Sequence, residues 1–258
     1  MNQLLTVGEQ LFEKYLNEMR YAFEFEKEYE GKKKRPDYTI TKDGSKSLFD
    51  AKDFDPMRPA PGFSQFDPYS RLRQRIDDGR KKFKEFKEFP CCIVLRNTGN
   101  VFVDLETPSI VLGAMYGDAG FKIPIYVGNG LSPTPSPAPE QAFLAGGKMV
   151  HKNQAQNTTI SALITLRHVA VGMRRMRAIF REHPDLGTPE SVQIAYERFP
   201  NFDVEERRLG VIVWENAVAR IPLSRGLFTG PYDLRWGVEG ENQTIVFEGE
   251  KLRELAKD

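Results

Sequence analysis

Between Thr6 and Arg96 the hydrophobic period switches from helical to alternating and back, and that order leaves few folds open to the chain. Thr6–Arg20 carries an apolar stripe at helical spacing, formed by Leu5, Phe12, Leu16 and Met19, and Thr6 with Glu9 makes a capping box at its start. Tyr21–Tyr29 alternates instead: Tyr21, Phe23, Phe25 and Tyr29 face one way and Glu24, Glu26 and Glu28 the other, as on a half-buried strand with a solvated acidic face. After the basic turn Gly31-Lys32-Lys33-Lys34, strands are predicted over Asp37–Lys42 and Leu48–Phe54, joined by the hairpin turn Lys42-Asp43-Gly44-Ser45. A Pro- and Gly-rich loop over Pro56–Pro68 leads to a helix over Tyr69–Phe86, with Leu72, Ile76, Phe83 and Phe86 as core positions. Pro90–Arg96 is a continuous apolar strand of the kind that fills a sheet centre. The predicted order is helix, three strands, helix, strand, which makes an α/β chain.

Two of those strands carry chemistry. The first opens with Pro36-Asp37, and the second contains Asp50-Ala51-Lys52. Asp50 and Lys52 share a face because strand side chains repeat every two residues. Their neighbours Leu48, Phe49 and Phe54 are apolar, and charges in such a setting are costly unless paired or bound. Two carboxylates and a lysine on neighbouring strands suit metal-assisted phosphodiester cleavage. Asp37 and Asp50, with help from the Ala51 carbonyl, would hold a hard divalent cation through oxygen. Such a cation polarises a phosphoryl group and lowers the pKa of a bound water, and Lys52 would orient that water. The arrangement requires one oxygen of Asp37 and one of Asp50 within about 5 Å of each other.

The Pro-Asp pair followed by Asp-x-Lys, set in an αβββαβ order, resembles the PD-(D/E)XK nuclease superfamily over residues 6–96. The resemblance implies a three-layer α/β/α core around a mixed sheet, with Mg²⁺ as the cofactor and Mn²⁺ as a substitute. It also implies a glutamate from the first helix in the site. Gly8-Glu9-x-x-Phe12-Glu13 is similar to that helix, and Glu9, at the border of the apolar stripe, is preferred over Glu13. The family more often has Glu where this chain has Asp50, but Asp is an accepted variant. The implied activity is a nuclease, an endonuclease on DNA before RNA. A catalytically silent nucleic-acid-binding or assembly protein on the same fold is the alternative, since fold does not fix activity.

The cations of the second predicted helix fit this reading. Arg71, Arg73, Arg75, Arg80, Lys81, Lys82, Lys84 and Lys87 crowd it, and Arg75, Arg80, Lys81 and Lys84 are the candidates for phosphate contact. Ordinary solvated helix surface explains many of them equally well. Rival chemistries find little support. The three histidines, His151, His168 and His183, stand in no metal-ligand spacing, and Gly146-Gly147-Lys148-Met149 lacks the Ser or Thr of a phosphate-binding loop.

The net charge of +1 argues against a protein that coats nucleic acid over its whole surface, while leaving room for a local basic face. No run approaches the roughly 18 apolar residues of a membrane helix, and the start Met1-Asn2-Gln3-Leu4-Leu5 is unlike a signal peptide. Cys91 and Cys92 are adjacent on a strand and point to opposite faces, so an ordinary disulfide between them is not expected. Together these predict a reduced, cytoplasmic protein with no membrane partner; a homodimer stays open.

The length suits a core over residues 1–106 and a C-terminal α+β extension over 107–258, separate or packed on the core as one domain. In the extension, Val101–Leu105 reads as one more strand at its border and Pro108–Tyr116 as a short helix. Ser132–Pro139 reads as a proline-rich loop and Thr158–Glu182 as a long helix bearing Arg167, Arg174 and Arg181 as a second basic face. Leu209–Trp214 and Ala217–Ile221 read as a hairpin, Thr244–Phe247 as a strand and Glu250–Lys257 as a terminal helix.

Overall fold

The computed structural model describes residues 4–58, 66–122, 140–151, 154–173, 205–239 and 244–247, with single positions at 177, 181, 193, 197 and 203. Helix α1 (Val7–Glu18) begins at the expected capping box: Thr6 Oγ1 accepts from Glu9 N–H at 3.2 Å, and Glu9 Oε2 accepts from Thr6 N–H at 2.7 Å. Strand β1 (Ala22–Phe25) is shorter than its alternation suggests, because the backbone turns to φ 45° at Glu26. β2 (Tyr38–Lys42) and β3 (Ser45–Phe54) form the expected hairpin. Both of its turn residues, Asp43 and Gly44, take positive φ, the requirement that an Asp-Gly pair meets. Helix α2 (Ser70–Phe83), strand β4 (Cys91–Asn97) and helix α3 (Pro108–Tyr116) follow.

Alternation along β3 builds the layers. Phe49 packs with Phe12 of α1 on one face, whereas Leu48 joins Leu72, Ile76 and Phe83 of α2 on the other. Leu48 and Cys91 are register partners, and Cys91, Ile93 and Leu95 extend the α2-facing core along β4. The result is α/β/α, with α1 on one side of the sheet and α2 on the other. Gly79 lets α2 approach closely: a Cβ there would lie 2.3 Å from Ile93 Cδ1. Gly79→Ala is therefore expected to cost about 1–3 kcal/mol by overpacking, or about 2–4 °C of Tm per kcal/mol at this size. A melting curve that coincides with wild type would mean that Ile93 moves aside freely.

The sheet does not stop at β4. β5 (Gly117–Lys122) pairs with β6 (Glu140–Gly146), and β7 (Val150–His151) with β8 (Gln154–Ala155), in two small ribbons. β9 (Ile160–Ala170), β10 (Arg207–Glu215), β11 (Leu234–Glu239) and β12 (Thr244–Phe247) then join the main sheet, whose order is β1-β2-β3-β4-β9-β10-β11-β12. The sheet is mixed: β3, β4 and β9 run parallel, as do β10 and β11, while β1–β2, β2–β3 and β11–β12 pair antiparallel. On the α1 side, Tyr15 OH donates to Asp233 Oδ2 at 2.6 Å, and Asp233 Oδ1 accepts Val211 N–H, so one buried carboxylate ties α1 to the far half of the sheet.

Several expectations for the C-terminal part of the chain need correction or lie outside the described residues. The long helix expected over Thr158–Glu182 is strand β9 to Ala170, and helical backbone starts only at Val171. Ile160–Leu166 is buried throughout between β4 and β10 and so shows no alternation, and a short apolar run of that kind does not distinguish strand from helix. Arg167 accordingly lies on a strand, Arg181 is an exposed helical position, and Arg174 lies outside the described residues. The hairpin over Leu209–Ile221 is also absent. After β10, Asn216 and Arg220 bond to backbone at Ser161 and Thr158, and the neighbour of β10 is the parallel β11. Val101–Leu105 is a turn rather than a strand, held by Asn97, whose Oδ1 accepts from Gly99 and Asn100 and whose Nδ2 donates to Val103 O. The Ser132–Pro139 loop and the Glu250–Lys257 helix lie outside the described residues.

The chain divides into two compact units, Met1–Leu166 with Val211–Asp258, and Arg167–Gly210. Strands β9–β12, from residues beyond 107, share one sheet with β1–β4.

Candidate active site

β3 places Asp50 and Lys52 on the face that looks toward α2, and the hairpin register sets Asp37, just before β2, beside them. Asp37 Oδ2 accepts the Ala51 N–H at 2.7 Å, which fixes the carboxylate against β3. Lys52 Nζ donates to Asp50 Oδ1 at 2.9 Å. Lys82, from α2, donates to both Asp37 Oδ1 and Asp50 Oδ1. Two oxygens that share one hydrogen-bonding nitrogen lie no more than about 5–6 Å apart. The structure thus brings Asp37, Asp50 and Lys52 together as the sequence suggests, and adds Lys82.

The site has a buried floor and an open rim. The Asp50 side chain is 0% exposed, Asp37 15%, Lys82 20% and Lys52 27%. Asp50 Oδ2 is buried and accepts no hydrogen bond, although its partner oxygen takes two ammonium groups. A buried anionic oxygen without a donor is costly, so Asp50 retains capacity for a further donor or a cation. Among the described residues no group of three or more His, Cys, Asp and Glu side chains that could hold a metal ion converges; the carboxylates brought together here are Asp37 and Asp50.

Burial pushes the Asp50 carboxyl up from the ordinary range, the Asp37 carboxylate adds to the rise, and Lys82 and Lys52 pull it back in part. Lys82 moves up as well: burial works against its charge, but Asp50 and Asp37 together outweigh that. The two directions are consistent: burial dominates at Asp50, whereas at Lys82 the two carboxylates outweigh it. Since the folded-state value of Asp50 lies above the unfolded one, its contribution to stability is greatest below about pH 4 and is lost as pH rises through the folded value. In EDTA, Asp50→Asn is therefore expected to melt no lower than wild type at pH 7, with any gain shrinking toward about pH 4. A variant that melts lower at pH 7 would show that the ionised carboxylate stabilises the fold.

Glu9 does not join the pair. Its carboxylate is turned to the N-terminus of its own helix by the Thr6 N–H, the demand that a capping box satisfies first. Glu13 reaches further: its Oε1 accepts from Tyr38 OH at 3.3 Å, on the α1 side of the sheet where Tyr38 meets Phe12. Ala51 meets Asp37 through its N–H. Among the basic candidates, Arg75 is committed to β3, donating to Asp53 O at 2.7 Å with its guanidinium 5.3 Å from the Phe54 ring centre. Arg80, Lys81 and Lys84 are exposed, Lys81 with a 3.4 Å pairing to Asp78.

Lys82 was hidden among the cations of α2. The available signal is helical phase: Lys82 and Arg75 stand two turns apart on one edge of the Leu72-Ile76-Phe83 stripe, and both reach β3. No family model, curated protein or solved structure matches this chain.

Proposed function

We propose that the chain is a Mg²⁺-dependent nuclease, a phosphodiester hydrolase acting on nucleic acid, on DNA before RNA. The observation that carries this reading is the convergence of Asp37, Asp50 and Lys52 at one spot: Asp37 is fixed against β3 by the Ala51 N–H, Lys52 donates to Asp50 Oδ1, and the buried Asp50 Oδ2 is left without a hydrogen bond. Asp37 and Asp50 would hold Mg²⁺ or Mn²⁺, with the Ala51 carbonyl as a further oxygen. When bound, the ion supplies Lewis-acid polarisation of a phosphoryl oxygen and a water of lowered pKa. Lys52, fixed by Asp50 and partly exposed at the rim, is placed to hold that water and to offset charge that builds on the phosphate. Exposed Arg80, Lys81 and Lys84 on α2 offer sequence-independent contacts to the phosphate backbone.

A second reading, a catalytically silent nucleic-acid-binding or assembly protein on the same fold, draws support from Lys82, whose ammonium itself offsets the charge of both carboxylates. The cytoplasm is the proposed compartment, in keeping with two free, buried cysteines. Among the described residues no helix is long and apolar enough to cross a membrane.

The test is a panel of supercoiled plasmid, linear duplex, single-stranded DNA and RNA, each incubated with wild type or Lys52→Ala in Mg²⁺ or in EDTA. Cleavage by wild type in Mg²⁺ alone, absent with Lys52→Ala, is the expected pattern. An intact panel in every lane would favour the silent reading.

A further inference from the structure

We propose that Lys82 is an internal counter-cation for the Asp37–Asp50 pair, and that its ammonium and a divalent metal ion exclude each other there. Metal loading is then coupled to release of Lys82 from the floor of the site. This rests on the metal-site reading above and deepens it by assigning a role to a residue of α2.

The geometry leads to this directly. Lys82 Nζ contacts one oxygen from each aspartate, which is the relation a bridging cation would have. A lysine ammonium is a compact point charge, so it can fill such a position in a way that a planar guanidinium cannot. A hard divalent ion ligated by the same two carboxylates needs oxygens at about 2.0–2.6 Å, within the volume that Nζ takes up. Asp50 Oδ1 already accepts Lys52 as well, so a dication would enter beside two ammonium groups. Its repulsion with each would be twice that of two single charges.

The two lysines are not equally able to leave. Lys52 extends from β3 beside its own partner Asp50, held by the strand that also carries the acid. Lys82 arrives from a different layer on a flexible four-carbon stem and contacts both acids through one nitrogen, so side-chain rotation alone takes it off the pair. Released from both acids, it remains tethered to α2 beside the site, as one more cation for a bound phosphate.

Two measurements on the full chain test this. The first is Mn²⁺ affinity by calorimetry for wild type, Lys82→Met, which keeps length without charge, and Asp50→Asn as the control that removes the site. Lys82→Met is expected to bind Mn²⁺ about tenfold or more tightly than wild type, with binding abolished in Asp50→Asn. The second uses wild type alone and decides the matter if Lys82→Met fails to fold. Acetylation of Lys82 by limiting acetic anhydride, followed by mass spectrometry, is expected to speed up about fivefold or more on saturation with Mg²⁺, as the ammonium leaves its ion pairs. In Asp50→Asn, Mg²⁺ should leave the Lys82 rate unchanged. Asp50-dependent Mn²⁺ binding that is equal or weaker in Lys82→Met, or labelling indifferent to Mg²⁺, would overturn the exchange while leaving the metal site in place. Absence of Asp50-dependent metal binding in both wild type and Lys82→Met would remove the exchange and the metal site together.

Discussion

Asp50→Asn is expected to lower the single-turnover rate of Mg²⁺-dependent cleavage by about 10²-fold or more, through loss of the Lewis acid, in a protein that still folds. The substitution keeps the shape of a side chain that is 0% exposed and removes the formal charge at the floor of the site. Lys52 and Lys82 would lose a shared anionic oxygen, but Lys82 keeps Asp37. Folding should survive, because ionised Asp50 bears the cost of burial and of repulsion from Asp37. Circular dichroism and melting of the same preparation separate lost chemistry from lost structure. A purified Asp50→Asn protein that cleaves at the wild-type rate would exclude this mechanism.

Lys52→Ala is expected to lose cleavage to a comparable degree, about 10²-fold, while holding Mn²⁺ at least as tightly as wild type, since one ammonium beside the cation is gone. The distinction lies in what each side chain can touch. Asp50 carries oxygens that a cation can use, whereas an ammonium has three donors and no acceptor, so Lys52 acts on water and phosphate only. Its Nζ stands 2.9 Å from Asp50 Oδ1, beside the proposed cation position rather than between the two acids. Titration of both variants with Mn²⁺ alongside rate measurements tests this split. Loss of metal binding together with activity in Lys52→Ala would mean that the lysine assembles the site rather than working in it.

Local chemistry explains which parts of the fold were legible in the sequence. The α1 capping box, the Asp43-Gly44 turn and the stripe of α2 are each set by residues within a turn or two of one another, and each is found where the pattern places it. β9 was not legible, because burial on both faces erases alternation and leaves an apolar run that fits either period. The β10–β11 pairing joins Ile212 to Leu234 across an intervening loop, and no local pattern announces a parallel partner at that distance. The site divides along the same line. Asp37, Asp50 and Lys52 sit on one hairpin, so strand period and turn bring them together. Lys82 reaches Asp50 only because α2 packs onto β4 at Gly79, a tertiary contact. Glu9 was placed in the right helix, but its carboxylate had a nearer demand at the helix N-terminus.

The central claim, that Asp37 and Asp50 jointly hold the divalent cation of a hydrolytic site, is tested most directly by anomalous scattering from crystals of the wild-type chain soaked in Mn²⁺. An anomalous peak bonded to an oxygen of each aspartate at roughly 2.0–2.6 Å is expected, with Lys82 Nζ moved away from both. Saturating Mn²⁺ with no peak between these carboxylates, and Lys82 still bridging them, would contradict the claim.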